Sequence, residues 1–377
     1  MKPLQLPSPA IIGQDARTVG TPALLLELDA FESNLRQMAA LTARHNIVLR
    51  PHAKAHKSSA IAKAQIAMGA VGICCQKLSE AYPFVLAGIR DIHISNEFVG
   101  ADKIAMAVNL AQHARLSVCV DHPSQVDALG KAAGQAGVVI TVLPEVDIGQ
   151  GRCGVDSKNS LLALADRIGT HSGLRFGGLQ AYHGGIQHVG DWGSRKLKAS
   201  HGADLTASYV QCLDSRGIAC PVVTGGGTGT AEFDAASGVF TEIQPGSYIF
   251  MDGHYGENGW AGELRLQHSL FIATTIMSAA KPGQAVCDVG LKGVAVDSGL
   301  PLIRSDARHD SLRYVAANDE HGILHTDADG SHNLLGERLL LIPGHCDPTC
   351  NLYEQFVCIR NNIVEALWDI DARGLSR

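Results

Sequence analysis

Residues 22–57 read PALLLELDAFESNLRQMAALTARHNIVLRPHAKAHK, and the changes of period inside that stretch decide the fold class. Pro22 to Leu28 is short and almost wholly apolar, too brief for a helix and suited to a strand buried on both faces. Asp29 then opens a segment in which Phe31, Leu35, Met38 and Leu41 recur at spacings of three and four, the apolar stripe of a helix packed on one side. Ile47 to Arg50 returns to strand character. Such alternation of strand and helix implies a parallel sheet.

Outward from this unit the rhythm repeats. Further candidate strands lie at Val71 to Cys75, Asp91 to Ser95, Leu116 to Val120, Val138 to Val146, Phe176 to His183 and Pro221 to Thr224, which with the first two makes eight. Eight such units within about 230 residues match a (β/α)8 barrel, TIM-like in size; a doubly wound open sheet is the structural alternative. After about residue 265 the pattern changes to SLFIATTIM, QAVCDVG, GVAVDSG, RLLLIPG and FVCIRNNIVEALW, which run apolar or alternate between turn residues. The expected organisation is an N-terminal segment over 1–21, either a free tail or paired with the β domain, a barrel over 22–264, and a smaller β domain over 265–377.

A formal net charge of −6 and a pI near 6.3 leave no basic footprint for nucleic acid or anionic lipid. The expected partner is a small molecule. Ten cysteines lie at irregular positions without the spacing of a secreted disulfide framework, and neither a signal peptide nor a membrane-length apolar run is evident. The expected setting is the cytoplasm.

In a parallel barrel functional groups gather after the C-terminal ends of the strands. Those positions are polar here: Gln76 and Lys77, Asn96 and Glu97, Asp147, Gln150 and Arg152, Tyr182 and His183. Arg50-Pro-His-Ala-Lys54-Ala-His-Lys57 crowds five cationic or imidazole groups into eight residues. That is either a solvated charged face or a setting that depresses a lysine's pKa so that its amine can form a Schiff base, on Lys54 or on Lys57. Thr224-Gly-Gly-Gly-Thr-Gly-Thr230 is either a flexible turn or a loop whose N–H groups cradle a phosphate; it lacks the Walker lysine and the dinucleotide spacing, which favours a phosphate without a nucleotide. Pro245-Gly-Ser-Tyr248 can add hydroxyl donors. His345-Cys346-Asp347 places two potential ligands at i and i+2, on one side of an extended segment. If a metal binds there, this pair suits a hard ion such as Mn²⁺ or Mg²⁺, with Cys346 pointing away. A zinc site through Cys346 and Cys350 is the rival, and lacks a second ligand pair nearby.

Taken together, RPHAKAHK, AYHG at Tyr182, TGGGTGT, PGSYIFMD and HCDPTCNLYE resemble, in order and from about residue 20 to the end, the D-threonine aldolase family of alanine-racemase-like pyridoxal-phosphate enzymes. The resemblance implies a barrel followed by a β domain, a homodimer, pyridoxal 5'-phosphate on Lys54, its phosphate bound by Gly226, Gly227 and Tyr248, and its ring approached by Gln76, Arg152 and Tyr182. It implies a divalent metal, Mn²⁺ first, on His345 and Asp347. The sister dehydratases of D-serine and D-3-hydroxyaspartate resemble His-x-Cys at that position, so Asp347 favours the aldolase.

The expected reaction is metal-activated retro-aldol cleavage of a D-3-hydroxy amino acid, D-threonine giving glycine and acetaldehyde. His188 is the expected base, with His183, His56 and His52 as competitors. The alternatives are dehydration of D-serine or D-threo-3-hydroxyaspartate, and a non-catalytic pyridoxal-phosphate-binding barrel.

Overall fold

Strand β1 (Ala23–Glu27) is buried along its first four residues, as its composition requires, but its partners come from late in the chain. In this computed structural model, which describes residues 4, 8, 10–305, 309–326 and 334–377, Leu25 lies opposite Phe271 in an antiparallel ladder and opposite Val357 in a parallel one. The expectation that this run opens the barrel is therefore corrected. A strand apolar on both faces suits a barrel wall and a sheet centre equally, so its pattern does not say which it joins.

The barrel uses β2 (Val48–Leu49), β3 (Ile73–Cys75), β4 (Asp91–Ile94), β5 (Arg115–Val120), β6 (Ile140–Pro144), β7 (Leu174–Phe176), β8 (Gly178–Ala181), β9 (Val222–Gly225) and β10 (Glu242–Ile243). Parallel ladders run β3-β4-β5-β6-β7 and β2-β10-β9-β8, and single bridges at His52↔Cys74 and Glu145↔Gln180 join the two into a ring. The strand missing from the sequence reading is β10, whose two residues are too few to show a period. Phe176 to His183, expected as one strand, is divided: β7 pairs with β6 and β8 with β9. The corner is made at Gly177 and Gly178, where a side chain on Gly178 would stand 1.8 Å from Val222 O.

The barrel interior is partly polar, and its polar groups satisfy one another. His93 pairs through Nδ1 with Ser117 Oγ at 2.9 Å and through Nε2 with Gln180 Oε1 at 3.2 Å. Gln244 Nε2 donates to Gln180 Oε1 and Thr224 Oγ1, Thr224 donates to Glu242 at 2.7 Å, and Arg50 ties Glu242 to Asp91. Burial pushes the His93 imidazole down to about 3, so at neutral pH the network is held by a neutral ring.

The β domain adds β11 (Leu270–Lys281), β12 (Gln284–Cys287), β13 (Leu302–Ile303), β14 (Leu312–Ala317), β15 (Gly322–Thr326), β16 (Arg338–Ile342), β17 (Gln355–Arg360) and β18 (Ile363–Asp369). Among the described residues it forms a nine-stranded sheet with β1. GVAVDSG, expected as a strand, is turn and coil, while the β14–β15 hairpin was not anticipated. The N-terminal segment lies along β18: Gly13 N–H donates to Val364 O and Ala16 N–H to Asn362 O, each at 2.8 Å. The core of this domain packs Ala10, Val19, Leu25, Phe271, Ala273, Val357 and Ile359.

The chain divides into two compact units, 35–248 with 258–265 and 374–377, and 1–34 with 249–257 and 266–373. One crossing, between residues 265 and 266, lies beside the expected boundary at 264, and the chain also crosses between the units at 34/35, 248/249, 257/258 and 373/374. Its last residues, for example, return to the barrel, where Ser79 Oγ donates to Leu375 O and Arg377 O. Among the described residues no helix is long and apolar enough to cross a membrane.

Candidate active site

After β2 the chain makes a single 3₁₀ turn, Ala53–Ala55, capped by His52. His52 Nδ1 accepts the Lys54 N–H at 3.3 Å, while its Nε2 faces Gln76 Oε1 at 3.2 Å and Ser95 Oγ at 2.9 Å. One imidazole thus gathers the ends of β2, β3 and β4 beside Lys54, which is half-buried. Lys57 is placed differently. It is buried, its Nζ lies 3.2 Å from Glu80 Oε1, and Ser376 Oγ is at 3.5 Å, so its ammonium is committed to a carboxylate. His56 is buried too, with Nδ1 accepting the Ser58 N–H.

The glycine loop follows β9. Gly226 has φ +71°, and a side chain there would meet Asp234 Oδ2 at 2.4 Å. Gly229 is as confined, 2.0 Å from Gln187 O by the same measure. The Gly227 N–H, expected to face an anion, donates to Thr230 Oγ1 at 3.3 Å, and the Gly229 N–H donates to Gln187 Oε1 at 3.0 Å. Thr228 Oγ1, in contrast, is buried with no hydrogen-bond partner among the described residues. Tyr248, fully buried, accepts from Gln65 Nε2 at 3.3 Å, and burial raises its phenol above the ordinary range.

Thr230 Oγ1 donates to Asp234 Oδ2 at 2.5 Å, and burial pushes the Asp234 carboxyl up to about 7. Its folded pKa thus exceeds the unfolded value of about 4, and the stability it contributes, complete at acid pH, is lost as pH rises through 7. Urea titrations of Asp234→Asn and wild type at pH 5 and pH 8 are expected to show the variant gaining relative stability at the higher pH. An identical difference at both pH values contradicts this.

Tyr182 and His183 follow β8 and lead into the 3₁₀ turn Gly184–Ile186. Gln187 fastens this loop to the glycine loop: its Nε2 donates to His183 O and Thr230 Oγ1, and its own carbonyl accepts from Asn258 Nδ2. Arg195 does more. Entirely buried, it donates to Gly229 O at 2.9 Å, Gly259 O at 2.6 Å and Gly190 O at 3.3 Å, and also to Val189 O, with its guanidinium carbon 5.3 Å from the Trp192 ring and 5.5 Å from the Trp260 ring. His188 therefore sits on a loop whose following carbonyls are pinned. Burial lowers the His183 imidazole, offset by the nearby Asp147.

Arg152 stands over the Tyr182 ring at 5.5 Å and 3.7 Å from Glu145. Glu97, Asp121 and Cys153 offer ligand atoms within 4.8 Å of one another. Of the residues expected at the barrel rim, the structure joins Lys54 with Gln76 through His52, and Arg152 with Tyr182. Gln187, Arg195, Thr228 and Glu145 were missed; a glutamine, a helical arginine, a loop threonine and a glutamate carry no period or spacing that marks them.

In the β-domain unit, His345 caps the short helix Cys346–Cys350, so the segment is not extended beyond His345 and Asp347 lies in a first helical turn. The alternation of an extended segment, the expected reason for a common side, therefore does not apply to this pair. His345 Nδ1 is held by Asp297 Oδ2 at 2.9 Å and Ser298 Oγ at 3.3 Å. With Nδ1 so engaged, Nε2 is the ring nitrogen that could ligate a metal, the usual arrangement for a histidine ligand. Cys346 is buried, its N–H donating to Asp252 Oδ2 and its thiol to Asp347 Oδ1.

Two family models match the chain: alanine racemase, N-terminal domain, over residues 26–254, and putative serine dehydratase domain over 269–359. A D-threonine aldolase from Arthrobacter sp is 50% identical over 374 residues, covering 99% of this chain and 98% of that protein. A 3-hydroxy-D-aspartate aldolase from Paracoccus denitrificans is 40% identical, covering 97% of this chain and 95% of its own. The crystal structure of D-threonine aldolase from Filomicrobium marinum superposes with a TM-score of 0.95 at 44% identity, covering 98% of this chain and 100% of that one.

Proposed function

We propose a site chemistry for a chain that belongs to the D-threonine aldolase family, with its alanine-racemase-type barrel and its β domain. The protein is an aldehyde-lyase that uses pyridoxal phosphate to cleave D-3-hydroxy amino acids by a retro-aldol reaction, D-threonine giving glycine and acetaldehyde. The single observation that carries this reading is the 50% identity to a D-threonine aldolase across almost the whole of both chains.

Pyridoxal phosphate supplies, when bound, the electron sink for the pair released from the Cα–Cβ bond. Lys54 is the residue that holds it covalently, since Lys57 is engaged by Glu80. Thr228 and Tyr248 supply hydroxyl donors to the phosphate beside Gly226 and Gly227; a buried threonine hydroxyl without a partner suits such a ligand. Gln76, Arg152 and Tyr182 bound the ring. A divalent ion on His345 and Asp347 supplies a positive charge that makes the substrate's β-hydroxyl more acidic. His188 takes that proton at an imidazole nitrogen. The loop that carries it is restrained by Gln187 and Arg195, which limits the motion of the imidazole relative to the glycine loop. The finer parts of the reading are a manganese ion, a homodimer and a cytoplasmic setting.

Incubation of the holoenzyme with D-threonine and Mn²⁺ is the direct test: glycine and acetaldehyde are expected. A keto acid with ammonia instead identifies a dehydratase, a reading to which the serine-dehydratase model over 269–359 points. His188→Ala is expected to lower kcat by about a hundredfold or more, the usual worth of a general base; turnover within a few-fold of wild type removes His188 from the role. His345→Ala, or chelation of wild type, is expected to lower kcat by a similar factor, with Mn²⁺ restoring the chelated enzyme and not the variant. Rescue of both by Mn²⁺ places the metal elsewhere.

A further inference from the structure

Glu145 follows β6 directly, with its backbone held on both sides. Its N–H donates to Val120 O and its carbonyl accepts from Val155 N–H, each at 2.9 Å. Its carboxyl is turned into the protein, and the residue is only 2% exposed. A carboxyl so deep needs a cation or a proton. The cation is Arg152, whose NH2 lies 3.7 Å from Glu145 Oε1. The proton comes from crowding: burial first, and the Glu97 carboxyl second, push Glu145 up to about 9, and Glu97 is raised as well.

Arg152 contrasts with its partner. Its side chain is 45% exposed, and on its own a long guanidinium-bearing chain samples many rotamers. Here one direction is closed by the Tyr182 ring, 5.5 Å from the guanidinium carbon, and another by the buried Glu145. Since Tyr182 closes the end of β8 and Glu145 closes the end of β6, the guanidinium is held from two strands of the wall at once.

We propose that Glu145 is a positioning residue: with Tyr182 it holds the Arg152 guanidinium in the orientation from which Arg152 meets the cofactor ring. This rests on the reading that Arg152 approaches the ring, and goes beyond it by naming the group through which Arg152 is placed.

The test is a double-mutant cycle on Glu145→Gln and Arg152→Ala, read as the dissociation constant for pyridoxal phosphate, the ratio of the bound cofactor's absorbance bands at fixed pH, and kcat and KM separately. Each single variant is expected to weaken cofactor binding by about tenfold and to change the band ratio, with the double variant no more than about twofold worse than the weaker single. Glu145→Asp, which keeps the carboxyl on a shorter side chain, is expected to recover the band ratio in part, and it takes the place of Glu145→Gln in the cycle should that variant fold poorly. Effects that multiply to about a hundredfold in the double variant overturn the proposal. So does a Glu145→Gln protein with lowered Tm and wild-type affinity and bands. If Arg152→Ala alone leaves affinity and bands unchanged, the ring assignment of Arg152 fails with it, whereas the aldolase reading is judged separately by the products from D-threonine.

Discussion

Lys54→Ala is expected to abolish covalent retention of pyridoxal phosphate after borohydride reduction and to lower aldolase activity by at least about a thousandfold, because no other group can carry the cofactor through the cycle. Of the two lysines that stand three positions apart in one histidine-rich segment, the family resemblance marks Lys54, and the setting of Lys57 agrees with it. Lys57 adopts φ +51° and buries its ammonium against Glu80, a carboxylate that also accepts the N–H groups of Gln76 and Lys77. Freeing that amine for covalent chemistry would strand Glu80 in the interior, a costly change. Lys57→Ala should therefore destabilise the protein while retaining covalent cofactor. Mass spectrometry of the reduced proteins checks both, and a label that persists in Lys54→Ala and vanishes in Lys57→Ala reverses the assignment.

The second large effect is on stability. Arg195→Met is expected to lower the free energy of unfolding by about 2 kcal/mol or more, since the buried Gly229 carbonyl and three part-buried carbonyls lose a donor at once and each buried loss costs about 1–3 kcal/mol. The methionine retains apolar packing against Trp192 and Trp260 but donates nothing to Gly190, Gly229, Gly259 or Val189. Arg195→Lys is expected to recover only part of the difference, because a single ammonium cannot span acceptors that the guanidinium fork reaches together. Urea unfolding measures both. A loss below about 1 kcal/mol for Arg195→Met would show that water or backbone shifts replace these bonds.

The legible parts of the fold were those written as local period. β3, β4 and β6 fall inside the runs that their β-branched or leucine-rich residues mark, β5 begins one residue before its run, and the helix Leu28–His45 carries the spacings of three and four read at Phe31, Leu35, Met38 and Leu41. Other elements were misread for physical reasons. Ala23–Glu27 is apolar on both faces, which suits either sheet, and only its register with Phe271 and Val357 assigns it. Glu242–Ile243 closes the barrel with two residues, held by Val48, Leu49, Thr224 and Gly225 rather than by any preference of its own. The hairpin at 312–326 alternates weakly and was lost among polar residues for the same kind of reason.

At the candidate site, residues with unusual local chemistry stood out: the His/Lys cluster about Lys54, the glycine run about Gly226, the His-x-Asp pair at His345 and Asp347. Those that act through distant partners did not. Gln187 is joined to Thr230 across 43 positions, Arg195 to Gly259 across 64, and Arg50 to Glu242 across 192.

By itself the sequence determined the alternation of strands and helices, the change to a β-rich C-terminal part, and which short segments carry reactive groups, because period, turn residues and functional side chains are local properties. Only the tertiary structure decided that Lys57 is bound to Glu80, which strand closes the barrel, and which buried donors hold the loops together. Those outcomes depend on groups far apart in the chain meeting within about 3 Å, where burial makes each polar group take a partner, and no local pattern encodes who that partner is.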